Sequence, residues 1–104
     1  MRDLGKMAKQ IQKLQADLAR LQDELATSRV EATAGGGVVR AVANGHGELQ
    51  AIVIDPTVVD PTDVAMLQDL VVAAVNEVQR TAKQAAEARI KALTGGVQLP
   101  PGLM

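Results

Sequence analysis

The chain has 104 residues, of which 47% are hydrophobic and 22% charged, and its formal net charge is −1. It contains no cysteine and no aromatic residue, which excludes disulfides, thiolate nucleophiles, zinc–thiolate sites and aromatic platforms for stacking bases. The core must be built from Ala, Val, Leu, Ile and Met, which bury less area per residue than rings do. We therefore expect a small protein that completes its core with a partner subunit.

The first predicted element is a long amphipathic helix over residues 3–27. Its large apolar residues recur at alternating spacings of three and four, a heptad pattern that places them on one side of the helix. Such a helix is roughly 36 Å long, longer than a compact domain of this size is wide, so its apolar side needs a partner. These residues, called the seam below, are Leu4, Met7, Ile11, Leu14, Leu18, Leu21 and Leu25.

A change to period-two alternation after residue 27 predicts three short strands, at residues 28–34, 38–43 and 48–54. Three consecutive glycines join the first two strands, and an Asn-Gly-His-Gly segment at residues 44–47 joins the last two. Both segments favour tight turns. Short strands joined by tight turns predict an antiparallel meander.

A second long helix is predicted over residues 61–93. Asp60 is a good N-cap, Pro61 suits the first helical position, and the glycines at 95 and 96 end the helix. Arg89 falls on its apolar face, so we expect the last two turns to leave the core. Residues 97–104 contain enough Pro and Gly to be irregular. The sequence therefore predicts an α+β protein with a single domain over residues 1–96.

Cationic side chains are concentrated on the first helix, on the face opposite the seam. Each contact of a cation with phosphate releases counterions and adds salt-sensitive affinity, so this face is a candidate phosphate-binding surface. Every soluble helix needs a charged outer face, however, and the alternative of a merely solvated surface stays open. Without aromatic platforms, binding should favour duplex and ignore sequence. The basic stripe consists of Arg2, Lys6, Lys9, Lys13 and Arg20.

No segment has the pattern of a catalytic or metal site. His46 lies in a glycine-flanked turn without metal-ligand spacing, and the three glycines lack the Lys-Ser/Thr of a phosphate loop. We expect no enzymatic activity, no cofactor, no metal and no small-molecule substrate. Lysines interrupt the apolar residues of the N-terminus, and no apolar run approaches the ~20 residues of a membrane span. These features predict a cytoplasmic protein without a membrane partner.

Four segments resemble a known family. They are GVVRAVANG at 37–45, VIDP at 53–56, LQDLVVAAVNE at 67–77 and LTGGVQLP at 93–100. Together with the order helix, meander, helix, they resemble the YbaB/EbfC family of bacterial nucleoid-associated proteins over nearly the whole chain. The resemblance implies an intertwined homodimer with a tweezer-like outline, in which sheets and second helices form the interface and charged helices embrace duplex DNA.

The resemblance also implies a function and a location. We expect a nucleoid-associated protein that binds duplex DNA largely without sequence specificity and affects chromosome organisation or gene expression. An alternative of another class is a structural or adaptor homodimer whose seam docks a protein partner, marked by an exposed apolar patch around Leu14, Leu18 and Leu21. The expected phosphate contacts are Lys6, Lys9, Lys13 and Arg20, with Arg2, Arg80, Lys83 and Lys91 behind them.

Overall fold

Two long helices and a three-stranded antiparallel sheet form the part of the chain that the structure, a computed structural model, describes, residues 3–95. This confirms the predicted α+β fold. Each strand begins one or two residues later than the alternation suggested. The elements are α1 (Asp3–Thr27), β1 (Val30–Ala34), β2 (Val39–Ala43), β3 (Leu49–Ile54), a 3₁₀ turn (Pro56–Val58) and α2 (Val64–Thr94). The tail predicted over residues 97–104 lies outside the described residues.

The core lies between α2 and one face of the sheet, whose strand order is β1-β2-β3. Val39, Ala41 and Ala43 alternate along the central strand β2 and are fully buried against Ala74 and Val78 of α2. Alanine on both elements lets helix and sheet approach closely, but it also buries little area per residue. The described chain therefore has a thin core for its length.

The face of the sheet that points away from α2 is called the outer face below. Side chains alternate between the faces of a strand, so Arg40 and Val42 of β2 point away from α2. The register pairs them with Val53 and Ala51 of β3. Val42 is buried, whereas Ala51 and Val53 are exposed. The outer face is thus substantially apolar along β3.

The end of α1 is joined tightly to the β2–β3 turn. Leu21 and Leu25 are buried, and the Leu25 carbonyl accepts hydrogen bonds from the Gly45 backbone N–H at 2.8 Å and the Ser28 hydroxyl at 3.0 Å. A Cβ at residue 45 would lie 2.4 Å from Ser28 Oγ and 2.7 Å from Leu25 Cδ2. Gly45 is therefore required by the close approach of the two backbones.

Asn44 completes this junction from within the turn. Its side chain is almost fully buried, and its oxygen accepts from the backbone N–H groups of His46 at 3.0 Å and Glu48 at 3.1 Å. Its amide donates to the Ala26 carbonyl at 3.3 Å and to Glu48 Oε1 at 2.8 Å. One side chain thus shapes the turn and attaches it to α1.

His46 and Gln79 attach the same turn to both helices. His46 Nε2 lies 3.0 Å from the Gln22 carbonyl of α1, and Gln79 of α2 donates to the Gly47 carbonyl at 3.2 Å. The histidine expected to be a simple turn residue therefore also contacts α1. Nothing in the sequence around residue 46 indicates this partner, because it lies 24 residues away.

The second helix begins later than predicted. Its N-cap is Asp63, whose carboxylate accepts from the Met66 N–H at 3.2 Å, so α2 starts at Val64 and not at 61. The Asp60 carboxylate instead accepts from the Thr62 N–H at 2.9 Å and the Thr62 hydroxyl at 2.7 Å. This local turn competes with helix capping, which is why the Asp60-Pro61 signal placed the helix too early.

The same arrangement occurs five residues earlier, at the end of β3. Asp55 accepts from the Thr57 N–H at 3.0 Å and the Thr57 hydroxyl at 2.8 Å. In both Asp-Pro-Thr segments the backbone hydrogen bond, and then the hydroxyl, lowers the pKa of the aspartate below its ordinary value, because the ionised carboxylate is the better acceptor. Two successive turns therefore lead the chain from β3 into α2.

The last turns of α2 lie beside α1. Arg89 forms an ion pair with Glu24 of α1, and Ile90 and Leu93 are half-buried near that helix. The two helices thus run side by side beyond the sheet. Arg89 lies on the apolar face because an acidic residue of α1 receives it there.

The protein is strongly elongated, with extents of 73 × 21 × 20 Å and a radius of gyration of 19.4 Å. A compact chain of this length would have a radius of gyration of about 13 Å. The extra length comes from the helices. We call residues 3–13 of α1 the arm, because the buried positions of this helix, Leu21 and Leu25, both lie in its C-terminal half.

The seam closes within the chain only at its C-terminal end. Leu21 is 2% exposed and Leu14 and Leu18 are half-buried, so these three residues, where the adaptor alternative expected an exposed apolar patch, are largely covered within the chain. On the arm, by contrast, Leu4 is 61% exposed, Met7 53% and Ile11 54%. The exposed apolar surface of α1 therefore lies closer to the N-terminus than expected, on the arm.

Candidate nucleic-acid interface

The three lysines of the basic stripe lie along the arm, as the helical periodicity required. Lys6, Lys9 and Lys13 are all exposed, fall within about 60° of one another around the helix and extend over about 10 Å of its axis. Arg2 lies outside the described residues. Because α1 is fixed at its far end by Leu21 and Leu25, the three lysines are displayed on a projecting helix.

Ion pairing divides the cations into two groups. Each of the five arginines that the structure describes has a carboxylate within ion-pair distance, whereas Lys6, Lys9, Lys13, Lys83 and Lys91 make no such pair with the described side chains. The lysines are thus the cations left to meet an external anion. The arginine pairs are Arg20–Asp17 at 3.1 Å, Arg29–Glu31 at 2.5 Å, Arg40–Glu31 at 3.6 Å, Arg80–Glu77 and Arg89–Glu24.

The C-terminal half of α1 is electrostatically different from the arm. Asp17 and Glu24 lie on the side of the helix that carries the stripe, and Asp17 holds Arg20. Glu24 is occupied by Arg89 of α2. Arg20 therefore differs from the three lysines of the arm, because it has a carboxylate partner on its own helix.

The predicted cations of α2 share one exposed face but differ in their surroundings. Arg80 is paired with Glu77 one turn earlier, whereas Lys83 lines a groove between the helices together with His46 and Glu87. Lys91 is in the last turn of α2, where a cation also stabilises the helix by complementing its dipole. Of these three, Arg80 is the least available to an external phosphate.

The structure brings the stripe to the end of α2. Lys13 and Leu14 line a surface groove with Leu93 and Thr94, the last residues of that helix. Lys6 and Lys9 lie farther out on the arm. Lys13 of the first helix and the last turn of the second, which contains Lys91, thus lie toward the same end of the molecule.

Sequence reasoning missed a charged cluster on the outer face. Glu31 accepts from Arg29 at 2.9 and 2.5 Å, and Arg40 of the neighbouring strand lies 3.6 Å away. The Arg29 hydrogen bonds, with the charges of both arginines, hold the pKa of Glu31 below its ordinary value despite some desolvation. Arg29 lies two residues before Glu31 in the sequence, but only the register of β1 against β2 brings Arg40 to Glu31.

Within residues 3–95 no three His, Cys, Asp or Glu side chains come together as a metal-binding group. No helix in the described part of the chain is long and apolar enough to cross a bilayer.

A long helix whose lysines form no ion pairs with the described side chains is a surface suited to a polyanion. The comparisons with known proteins indicate the family of the chain. The model of the YbaB/EbfC DNA-binding family matches residues 1–97. The chain belongs to this family, and its match over so long a range agrees with the likeness of the four sequence segments.

Similar proteins were found in several bacteria. A nucleoid-associated protein of Moorella thermoacetica is 52% identical over 100 residues, covering 96% of both chains. One from Pelotomaculum thermopropionicum is 48% identical over 98 residues, covering 94% of this chain and 93% of the relative. The fold resembles the crystal structure of an uncharacterized protein from Helicobacter pylori, with a TM-score of 0.75 at 18% identity, covering 88% of this chain and 97% of that one.

Proposed function

We propose that the protein is a non-catalytic, nucleoid-associated protein that binds duplex DNA through its phosphates and thereby affects chromosome organisation or gene expression. The observation that carries this proposal is the row of Lys6, Lys9 and Lys13, exposed on the arm and without ion pairs among the described side chains. Membership of a DNA-binding family and the names of the relatives support it. The location that follows is the nucleoid.

Stabilisation of the helix does not explain why a lysine lies in its first turn. Lys6 lies in the first turn of α1, where the helix dipole disfavours a cation. The arginines, which read base edges best through bidentate contacts, are engaged with carboxylates. Lysines act on phosphate mainly as point charges. The arrangement therefore favours binding that depends on phosphate and ignores sequence.

The full phosphate-binding surface follows from these contacts. Lys6, Lys9 and Lys13 are its centre, and Lys83 and Lys91 add to it as exposed cations. Arg2, which lies outside the described residues, is included from the sequence. Arg20 and Arg80 contribute less, because each must first release a carboxylate of its own helix. Neutralising each phosphate should add about 0.9 to the slope of log affinity against log salt.

The second part of the proposal is a homodimer. The described core contains nothing larger than leucine, and large apolar side chains remain exposed on β3 and on the first half of α2. β3 is also an edge of the sheet, with unpaired backbone groups that invite another strand or a cover. We infer that a second copy covers β3, the outer face and the start of α2. The exposed residues concerned are Leu49, Val53, Val59, Val64, Met66 and Val72.

The experiment that tests DNA binding is fluorescence anisotropy of labelled duplexes of two unrelated sequences, titrated with protein at several salt concentrations. We expect similar affinities for both duplexes and a steep loss of affinity with salt. Changing Lys6, Lys9 and Lys13 together to Ala should lower the slope of log affinity against log salt by about 2.7 for each protomer that contacts the duplex, three phosphate contacts of about 0.9 each. An unchanged slope would mean that the stripe is only a solvated surface.

A matched control removes the effect of net charge. The variant Gln12→Glu/Gln15→Glu/Ala19→Glu changes the charge by the same amount on the same helix, but at exposed positions away from the stripe. Its salt slope should stay close to that of the parent, with only a small general loss of affinity. If both triple variants lose slope equally, net charge and not the stripe determines binding.

The second candidate function is an adaptor homodimer that docks a protein partner on the seam. The observation in its favour is the exposure of Leu4, Met7 and Ile11 on the arm. This candidate predicts no binding of duplex even at low salt, so the same titration separates the two functions.

A further inference from the structure

The arm carries a row of large apolar side chains that no described residue covers. Leu4, Met7 and Ile11 follow one another along about 10 Å of helix, and each is more than half exposed. The other four positions of the seam are half-buried or buried. A continuous apolar row on a charged helix marks an interaction site, and we call these three residues the exposed row.

The docked half of α1 shows what kind of element covers the seam. Ile90 of α2 lines one groove with Leu25 of α1, whereas Thr94, the last residue of α2, lines another with Leu14. The second helix therefore packs antiparallel to the first. It ends beside Leu14, where the exposed row begins, so the row continues a surface that already receives an antiparallel helix.

The arm of a second copy has the pattern to pack on the exposed row in the same direction. Two heptad seams that face one another interlock their apolar residues. The antiparallel register that overlaps the two rows places Met7 of each copy opposite Ile11 of the other, and Leu4 opposite Leu14. This arrangement has a two-fold axis, so both copies use the same residues, as is usual in homo-oligomers.

The charges of the arm favour a second copy as the occupant. The residues that flank the exposed row, Ala8, Gln10 and Gln15, carry no charge. Flanking positions select the partner of a heptad seam, and these offer no counter-charge to an acidic or basic partner. The three lysines of the arm are centred about 160° around the helix from the exposed row. Pairing therefore turns the lysines of the two copies away from one another.

We propose that the arms of two copies of the protein pair antiparallel through Leu4, Met7 and Ile11. The two sheets then lie at opposite ends of the paired arms, so these two copies cannot also share the interface proposed for β3 and the outer face. The arm contact therefore joins one homodimer to another. This consequence rests on the homodimer proposed above, whereas the contact between the arms does not.

The size of the contact determines its strength. Six side chains of this kind bury roughly 600 Å² of apolar area, which is less than the about 1,200 Å² of a stable interface. The arms therefore pair reversibly, and larger assemblies form only at high protein concentration. The lysines stay open to phosphate in either state.

Disulfide trapping in the full-length chain tests this contact, because the sequence has no cysteine. The single variants Met7→Cys and Ile11→Cys are mixed in equal amounts and oxidised, and intact mass distinguishes the mixed covalent dimer from the two like dimers. We expect the mixed dimer to exceed each like dimer at least about fivefold, since only facing thiols meet the geometry of a disulfide. Random collision would give a mixed dimer only twice as abundant as each like dimer.

A matched control mixture has the same spacing on the other side of the helix. Lys9→Cys with Lys13→Cys should form covalent dimers at least about tenfold more slowly, because the paired arms hold these positions apart. Equal rates for the two mixtures, or the random ratio of products from Met7→Cys and Ile11→Cys, would overturn the proposal. An excess of the like dimer of Met7→Cys would also overturn it, since that product requires parallel arms.

Sedimentation velocity over a range of protein concentrations gives an independent measurement. The parent should form species larger than the homodimer, and Met7→Gln/Ile11→Gln should lower their association constant at least about tenfold, because Gln keeps the helix but removes the apolar contact. The control Ala16→Gln/Ala19→Gln adds the same side chains at exposed positions of α1 outside the seam and should associate like the parent.

Equal association of both double variants and the parent would show that the exposed row does not join copies. Neither measurement contains DNA, so a failure here is distinct from a failure of phosphate binding. Trapped arms without any species larger than a dimer would overturn the homodimer of β3 and leave the arm contact in place.

Discussion

Asn44 makes more side-chain hydrogen bonds than any other residue of the described chain. Its side chain makes four hydrogen bonds while almost fully buried, and these bonds join the β2–β3 turn to the end of α1. The adjacent Gly45 lets the two backbones approach to hydrogen-bond distance. At the scale of single residues, the position of the arm therefore depends on Asn44 and Gly45, two residues of the β2–β3 turn.

We expect Asn44→Ala to lower the free energy of unfolding by about 1–3 kcal/mol, because buried backbone groups lose their partners. Urea denaturation at a fixed protomer concentration measures this change. The control Gln84→Ala removes an exposed amide from α2 and should change stability by less than about 0.5 kcal/mol. A loss for Asn44→Ala no larger than the control's would mean that water replaces these bonds without cost.

At the scale of elements, α1 has two halves with different roles. The C-terminal half is held by Leu21, by Leu25 and by the ion pair between Glu24 and Arg89. The arm has no comparable contact within the described residues. The arm stays helical because the docked C-terminal half already nucleates the helix. Each further residue toward the N-terminus then adds a hydrogen bond at little cost in free energy.

We expect Leu21→Ala to destabilise the protein by about 2–5 kcal/mol, since it leaves a cavity where α1 meets α2. Leu21→Met keeps the volume and should cost less than about 1.5 kcal/mol. Thermal and urea unfolding followed by circular dichroism compare the two variants. Equal, small effects would indicate that α1 docks through the turn alone and not through the seam.

At the scale of the whole molecule, the elongated shape and the thin core are consistent with the proposed homodimer. A dimer would present two basic stripes to one duplex, which raises affinity without any new kind of contact. The arrangement also explains why a protein of slightly negative net charge can bind a polyanion, since screening confines the acidic charges of the turns to their own surroundings.

We expect Val53→Asp, on the exposed outer face, to weaken dimerisation at least about tenfold, because it would bury a charge in the interface. Sedimentation velocity measures the dimer, and the salt slope of DNA binding should fall by about half when protomers separate. Gln84→Asp makes the same change of charge on the exposed side of α2. A dimer of unchanged affinity in Val53→Asp would place the interface elsewhere.

Helical periodicity predicted some features of the candidate site but not others. The period of α1 correctly put Lys6, Lys9 and Lys13 on one side and the seam on the other, because both follow from 3.6 residues per turn. It could not show that Arg20 and Arg80 are held by carboxylates, although Asp17 and Glu77 stand three residues before them. Spacing permits such a pair, but rotamers and competing partners decide it.

Local sequence determined the elements and their order, because helix periodicity, strand alternation and turn residues act within a few positions. It also determined the absence of aromatic and thiol chemistry. Only the tertiary structure decided where the seam closes, which carbonyl His46 contacts and why Arg89 lies on an apolar face. These outcomes depend on groups far apart in the chain, such as Glu24 with Arg89 and Gln22 with His46, and no local pattern encodes which distant partner arrives.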